Sequence, residues 1–121
     1  MYRITKQFEF SASHELTHLD PSHKCFRCHG HNYIVEVVVE CVCLDDRGFC
    51  QVDYGEMALF KAYLDEYLDH RHLNDVLLVR PTAENLAKYL CEIARRLVSP
   101  YVVAIRVSET PKTWAEWRSP A

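Results

Sequence analysis

Three of the seven histidines in this 121-residue chain recur with a spacing that suits metal binding. His29 and His31 flank Gly30, and His14 ends an alternating run of apolar residues. Side chains two apart in a strand share a face, and an antiparallel strand ending at His14 would bring a third imidazole beside them. Three ligands with an open fourth position are typical of catalytic zinc, whereas structural sites usually have four. We predict a catalytic metal site here; the alternative is three separate histidines, each hydrogen-bonded at a strand end.

Two cysteines precede this histidine pair, in the order Cys25-Phe-Arg-Cys28-His. The order matches the attachment signature of c-type haem, but such haem requires export and no export signal is present. A structural zinc site would need a second Cys-x-x-Cys pair, and Cys41 and Cys43 are only two positions apart, in a predicted strand where we expect core residues. A nearby positive charge lowers the pKa of a thiol. Cys25 or Cys28 could therefore act as a base or nucleophile, or both could be inert loop cysteines.

Acidic residues form the next group of candidates. Asp69 and His70 follow a predicted helix, where a carboxylate beside an imidazole makes a usable acid or base near neutral pH. A histidine that merely caps the helix C-terminus is the alternative. Glu109 ends a predicted buried row, which is costly unless a partner such as a ligand with two N–H donors pairs with the carboxylate. Thr82 with Glu84 is typical of a helix N-terminus and needs no function.

The elements that must position these residues follow from hydrophobic periodicity. Alternation predicts four strands, at residues 2–14, 31–43, 101–109 and 114–117, with Tyr101 on the inward face of the third. Asp53 and Glu56 have the spacing of a capping box, and the stripe with 3.6-residue spacing that follows predicts a helix over about 54–67. Pro81-Thr82 opens a second helix that runs to Leu97. We interpret residues 69–80 as a connection and predict that His72 lies at the surface. The order ββααββ predicts an α+β fold with both helices on one face of an antiparallel sheet.

Composition limits the classes of function. The chain carries 14 basic and 17 acidic side chains, a formal charge of −3, so no sequence-wide basic field favours nucleic acid as a partner. The length fits a single domain over residues 1–121. Neither a signal peptide nor an apolar run of membrane-spanning length is present, so we expect a cytoplasmic protein without a membrane partner.

Several motifs together resemble one known family over essentially the whole chain. They are Phe10-Ser-Ala-Ser-His14, Cys25-Phe-Arg-Cys-His29-Gly-His31, Val52-Asp-Tyr-Gly, Leu68-Asp-His70-Arg-His-Leu-Asn74, Pro81-Thr-Ala-Glu84 and Ser108-Glu109-Thr. In this order they resemble the 6-pyruvoyltetrahydropterin synthase family. The spacing Cys-x-x-x-His-Gly-His is similar to its bacterial branch, the 6-carboxy-5,6,7,8-tetrahydropterin synthases, because the animal enzymes have a longer gap.

The resemblance implies a T-fold, assembled as trimers whose sheets form a barrel and stacked in pairs into a homohexamer. The implied cofactor is Zn²⁺, with His14, His29 and His31 as its ligands. Cys25 would be the proton-abstracting thiolate, completed as a triad by Asp69 and His70 from a neighbouring subunit. The implied pterin-binding residues are Glu109, Thr82 and Glu84. Cys28 is not expected from the family pattern.

The implied substrate is the small molecule 7,8-dihydroneopterin triphosphate. A lyase reaction would convert it to 6-carboxy-5,6,7,8-tetrahydropterin with loss of triphosphate and acetaldehyde, for queuosine or other deazapurine synthesis. The alternatives are the 6-pyruvoyl product and an aldolase-type cleavage to a hydroxymethyl pterin. A non-catalytic metal- or haem-binding module is a further alternative.

Overall fold

Two antiparallel strands of 13 residues each, β1 (Tyr2–His14) and β2 (His29–Cys41), form the centre of the sheet. A computed structural model describes residues 1–120. The register of the two strands places His14 directly opposite His29. The prediction of an antiparallel pair is thus confirmed, but β2 ends two residues earlier than predicted. Cys43 lies beyond that end and is exposed, so the expectation that it belongs to the core is wrong.

The sheet has five strands rather than the four predicted. β3 (Arg71–His72), β4 (Val102–Thr110) and β5 (Thr113–Arg118) complete it in the order β3-β1-β2-β4-β5. β3 lies parallel to β1, and the other neighbours are antiparallel. It belongs to the segment predicted as a connection, because two residues are too few to show a period of alternation.

The helices cover one face of this sheet. The predicted first helix is present as three continuous pieces, a 3-10 turn (Tyr54–Met57), α1 (Ala58–Tyr63) and a π turn (Leu64–Leu68). A short helix α2 (Leu73–Val76) follows β3, and α3 (Ala83–Leu97) begins where Pro81-Thr82 predicted. The predicted capping box at the first helix, Asp53 with Glu56, is formed.

The core lies between the helices and the inward face of β1, β2 and β4. The predicted stripe is buried throughout and consists of Met57, Phe60, Leu64 and Leu68. The inward row of β4 begins at Val102, and Tyr101, which we predicted to face inward, is exposed because the β2–β4 register shifts between Val38 and Val39. The six cysteines, all within residues 1–120, are free thiols. In the same part of the chain, each helix is too short or too polar to cross a membrane.

Candidate active site

The three predicted histidines come together at one end of the sheet, where β1 ends and β2 begins. The Nε2 atom of His14 lies 2.9 Å from Nε2 of His29 and 3.2 Å from Nε2 of His31. The ligand atoms of the three rings all lie within 4.8 Å of one another. His14 is completely buried, whereas His29 and His31 are partly exposed. The predicted convergence of three imidazoles is confirmed.

Backbone carbonyls determine which ring nitrogen carries the proton. Nδ1–H of His14 donates to the carbonyl of Pro81 at 2.7 Å, and Nδ1–H of His29 donates to the carbonyl of Arg27 at 2.7 Å. A carbonyl oxygen only accepts, so both neutral rings carry their proton on Nδ1 and turn the Nε2 lone pair toward the cluster. Two lone pairs 2.9 Å apart repel unless a cation lies between them. The donor set therefore fits a divalent metal ion held by Nε2 atoms.

Burial favours the neutral form of the His14 and His31 rings, and a histidine must be neutral to bind a metal. Desolvation is the main cause that lowers the pKa of His14, against the opposing effects of the Pro81 carbonyl and Glu109. Desolvation likewise lowers the pKa of His31, although Glu109 acts in the opposite direction. The lone pairs therefore stay available for a metal at a lower pH than they would on exposed imidazoles.

Glu109 lies beside this cluster at the end of β4. One of its carboxylate oxygens is 3.0 Å from Nε2 of His31 and 3.6 Å from Nε2 of His14. The same residue lines a cavity of about 730 Å³ together with Tyr33 and Asp69. The prediction that the inward row of β4 ends at Glu109 is thus confirmed. The closeness of the Glu109 carboxylate to the histidines was not predicted. Glu109 can interact with a ligand in the cavity that also reaches the metal position.

The start of α3 approaches the same region from the helical layer. The Thr82 side chain caps α3 by accepting from the Asn85 N–H at 3.2 Å, as the N-cap interpretation predicted. Glu84 is exposed and lines, with Glu109, a cavity of about 400 Å³. Because Pro81 holds His14 and Thr82 caps the helix, the first turn of α3 is fixed relative to the histidine cluster.

Cys25 and Cys28 differ in burial although they stand three positions apart. Cys25 belongs to a 3-10 turn (Lys24–Phe26), is half-buried, and its carbonyl accepts from the Leu16 N–H at 2.8 Å. The His23 side chain caps this turn by accepting from the Cys25 N–H. Cys28 is exposed. The turn is therefore tied to the residue two positions after His14, which holds the Cys25 backbone close to the end of β1.

Asp69 and His70 pair with each other, as expected for adjacent residues in a turn. The carboxylate of Asp69 lies 2.9 Å from Nδ1 of His70 and accepts from the Ser11 N–H at 2.9 Å. The Ser11 N–H, followed by His70, lowers the pKa of Asp69 and keeps its carboxylate charged. The His70 side chain is 82% exposed and its backbone has a φ of 59°, a left-handed conformation uncommon for a non-glycine residue. The pair therefore presents an exposed imidazole.

Two residues that support the site were not predicted from the sequence: Pro81, through its carbonyl, and Ser11, through its N–H and carbonyl. Both act through backbone atoms, and backbone donors and acceptors leave no mark in residue type. His72 was predicted to lie at the surface, but its side chain is only 24% exposed and makes two hydrogen bonds. That expectation is wrong because β3, which carries His72, was not predicted.

The fold and the histidine cluster define the class of protein, an α+β protein with three histidines at one end of its sheet that can hold a metal ion. Residues 3–120 match the family described as 6-pyruvoyl tetrahydropterin synthase. The 6-carboxy-5,6,7,8-tetrahydropterin synthase of Synechocystis sp. is 34% identical, covering 99% of this chain and 95% of that protein. The 6-pyruvoyl tetrahydrobiopterin synthase of Drosophila melanogaster is 31% identical, covering 97% of this chain and 79% of the relative.

A solved structure supports the same assignment at the level of the fold. The 6-pyruvoyl tetrahydropterin synthase of Caenorhabditis elegans superposes with a TM-score of 0.84 at 24% identity, covering 98% of this chain and 95% of that one. The chain belongs to the 6-pyruvoyl tetrahydropterin synthase family. It is therefore a lyase with the T-fold, which confirms the resemblance inferred from the motifs.

Proposed function

We propose that this protein is a zinc-dependent 6-carboxy-5,6,7,8-tetrahydropterin synthase that acts on 7,8-dihydroneopterin triphosphate. The observation that carries the proposal is the convergence of three imidazole Nε2 atoms beside Glu109, in a chain of this family. Curated relatives from Synechocystis sp. and Rickettsia bellii bear that name at 34% and 31% identity. We further propose that the product enters queuosine-type deazapurine synthesis, in the cytoplasm.

Two groups of residues bind the substrate, one at its pterin ring and the other at its side chain. The Glu109 carboxylate accepts from the 2-amino and N3 hydrogens of the pterin, because a carboxylate matches two parallel N–H donors. Thr82 and Glu84 assist at the start of α3, and Glu84 lines one cavity with Glu109. His14, His29 and His31 would hold the zinc ion, which would supply Lewis acidity toward the side-chain hydroxyls of the substrate.

Proton transfers are assigned to the remaining polar side chains. Cys25 takes the proton next to the developing carbonyl, because it is the half-buried thiol of the turn tied to the end of β1. His70 moves a second proton, and Asp69 holds its ring by the hydrogen bond to Nδ1. A positioned acid or base of this kind contributes roughly 10²–10⁴-fold to a rate.

The site is completed by a neighbouring subunit in a homohexamer of two stacked trimers. Within residues 1–120, β3 pairs with only Ala12 and Ser13, so most of the outer edge of β1 has no strand beside it. The outer edge of β5 is also free in this part of the chain. Free edges at both ends of one sheet favour closure with further copies. His70 is exposed enough to serve the site of such a neighbour.

Product analysis tests the proposal directly. Purified protein with zinc is incubated with 7,8-dihydroneopterin triphosphate, and products are identified by mass spectrometry alongside an assay for acetaldehyde. We expect 6-carboxytetrahydropterin, free triphosphate and acetaldehyde in equal amounts. One carbon of the side chain becomes the carboxyl group, which takes its additional oxygen from one water molecule, and the other two carbons leave as the aldehyde. A 6-pyruvoyl product without acetaldehyde would instead favour the activity named for the Drosophila relative. A hydroxymethyl pterin would indicate an aldolase, and no conversion would contradict the proposal.

Replacing Glu109 with glutamine should weaken pterin binding. The amide has only one acceptor oxygen and no charge, and a hydrogen bond to a charged group contributes about 1.5–3 kcal/mol. We therefore expect KM to rise by about 10- to 100-fold, with zinc content unchanged because the three imidazoles remain. Steady-state kinetics with metal analysis measure both quantities. Glu92→Gln, a change at an exposed position of α3 outside the two cavities that Glu109 lines, is the control, and an unchanged KM for Glu109→Gln would contradict the assigned role.

A further inference from the structure

The short strand β3 directly follows the Asp69–His70 pair of the proposed site. Only two of its residues pair with β1, so backbone pairing alone does little to fix its position. Its pairing with β1 joins Arg71 to Ala12 and His72 to Ser13, and parallel pairs are less stable per residue than antiparallel ones. Immediately before it, His70 has the uncommon φ of 59°. Such a conformation persists only where surrounding contacts determine it. Side chains must therefore fix the position of this segment.

The segment 69–74 is attached to the segment 11–15, which contains the end of β1 and the residue after it, through Ser11, Ser13 and Glu15. Ser11 bonds to both Asp69 and His70, as its N–H donates to the Asp69 carboxylate and its carbonyl accepts from the His70 N–H at 2.6 Å. At the far end, the Asn74 side chain accepts from the Glu15 N–H at 2.9 Å and donates to the Glu15 carbonyl at 2.8 Å. Residues 71–73 lie between these two attachments, and among them the His72 side chain makes a third attachment.

His72 bridges two side chains of the β1 segment. Its Nε2 lies 3.1 Å from the Glu15 carboxylate, and its Nδ1 lies 2.9 Å from the Ser13 hydroxyl. A carboxylate only accepts, so Nε2–H donates to Glu15, and Nδ1 makes the second hydrogen bond with the Ser13 hydroxyl, which can donate or accept. Both ring nitrogens thereby have a partner, and the side chain is 24% exposed. The ring has no freedom left to rotate without losing a hydrogen bond.

We infer that His72 is a positioning residue that locks β3 onto β1 and thereby holds the Asp69–His70 pair in its working geometry. The inference rests on the proposed function, in which that pair moves a proton. His72 need not contact substrate, because its effect is transmitted through the two-residue strand to His70. A displacement of about 1 Å of a catalytic group can cost about 10²-fold in rate. His72→Ala should therefore lower kcat by about 10- to 100-fold and leave the KM for the pterin nearly unchanged.

A double-mutant cycle separates positioning from an independent role. If His72 acts only through the Asp69–His70 pair, Asp69→Asn/His72→Ala should be no slower than Asp69→Asn alone. His72→Asn, which can retain one of the two hydrogen bonds, should recover part of the lost kcat. His18→Ala, which replaces an exposed histidine outside the site, is the control and should keep the wild-type rate. Independent, multiplying losses for the two substitutions would overturn the inference.

Hydrogen exchange tests the same inference without relying on turnover. In the zinc-loaded protein, a peptide covering residues 69–74 should exchange faster in His72→Ala than in wild type, while peptides from β2 exchange at the same rate. If wild type fails to convert the pterin triphosphate but this change in exchange is seen, the proposed function fails and the locking of β3 stands. Unchanged exchange in residues 69–74 would overturn the locking itself.

Discussion

His14→Gln will yield a folded protein that no longer retains metal. His14 is the central residue of the proposed metal site, with its Nε2 2.9 Å from that of His29 and 3.2 Å from that of His31, and it is completely buried. Loss of an outer-shell partner of a metal ligand typically costs about 10- to 100-fold in affinity, so loss of the ligand itself should cost more than about 100-fold. Zinc content by mass spectrometry should fall from one per chain to near zero, and turnover should become undetectable.

An exposed histidine outside the cluster provides the control for this result. His18→Gln, at an exposed position, should bind zinc as wild type does. If His14→Gln is too unstable to purify, because a buried ring hydrogen-bonded to Pro81 is removed, His29→Gln at a partly exposed ligand should lose metal in the same way. Full zinc occupancy in either ligand variant would contradict the assignment of the site.

The histidine cluster could be predicted because it depends on the two-residue period of side chains along a strand, which is visible in the sequence. His29 and His31 share a face because they are two residues apart, and the antiparallel register then places His14 opposite His29. Glu109 was found by the same reasoning, as the end of an inward row on β4. Each of these residues belongs to a strand of at least nine residues, long enough for its alternation to be recognised.

The edge of the site could not be predicted in the same way. β3 has two residues and α2 has four, and neither length can carry a periodic signal. Their positions are determined by tertiary contacts, such as the hydrogen bonds of Asn74 to the Glu15 backbone. The sequence therefore identified Asp69 and His70 as a pair but placed His72 at the surface. Backbone acceptors such as the Pro81 carbonyl were missed for a related reason, since every residue carries one.

Cys25→Ala should reduce kcat by about 10²–10⁴-fold, the range expected when a positioned base is removed. Zinc content and pterin KM should remain near wild type, because neither the imidazoles nor Glu109 is changed. Cys28→Ala should keep kcat within about twofold, since an exposed substitution rarely costs more than about 0.5 kcal/mol. Steady-state kinetics of the two variants, each with its metal content measured, provide the test.

The two cysteines form a matched pair because they share a loop, a residue type and a flanking basic side chain, and differ mainly in burial. The 3-10 turn buries part of Cys25 and binds its carbonyl to Leu16, whereas Cys28 faces solvent. A base that removes a carbon-bound proton works best where water is excluded and its position is fixed, which favours Cys25. If Cys28→Ala abolished turnover and Cys25→Ala kept it, the base would be the thiol of Cys28. The exposure of each thiol in the single chain would then not indicate which one is the base. Equal losses would instead indicate that both thiols are needed.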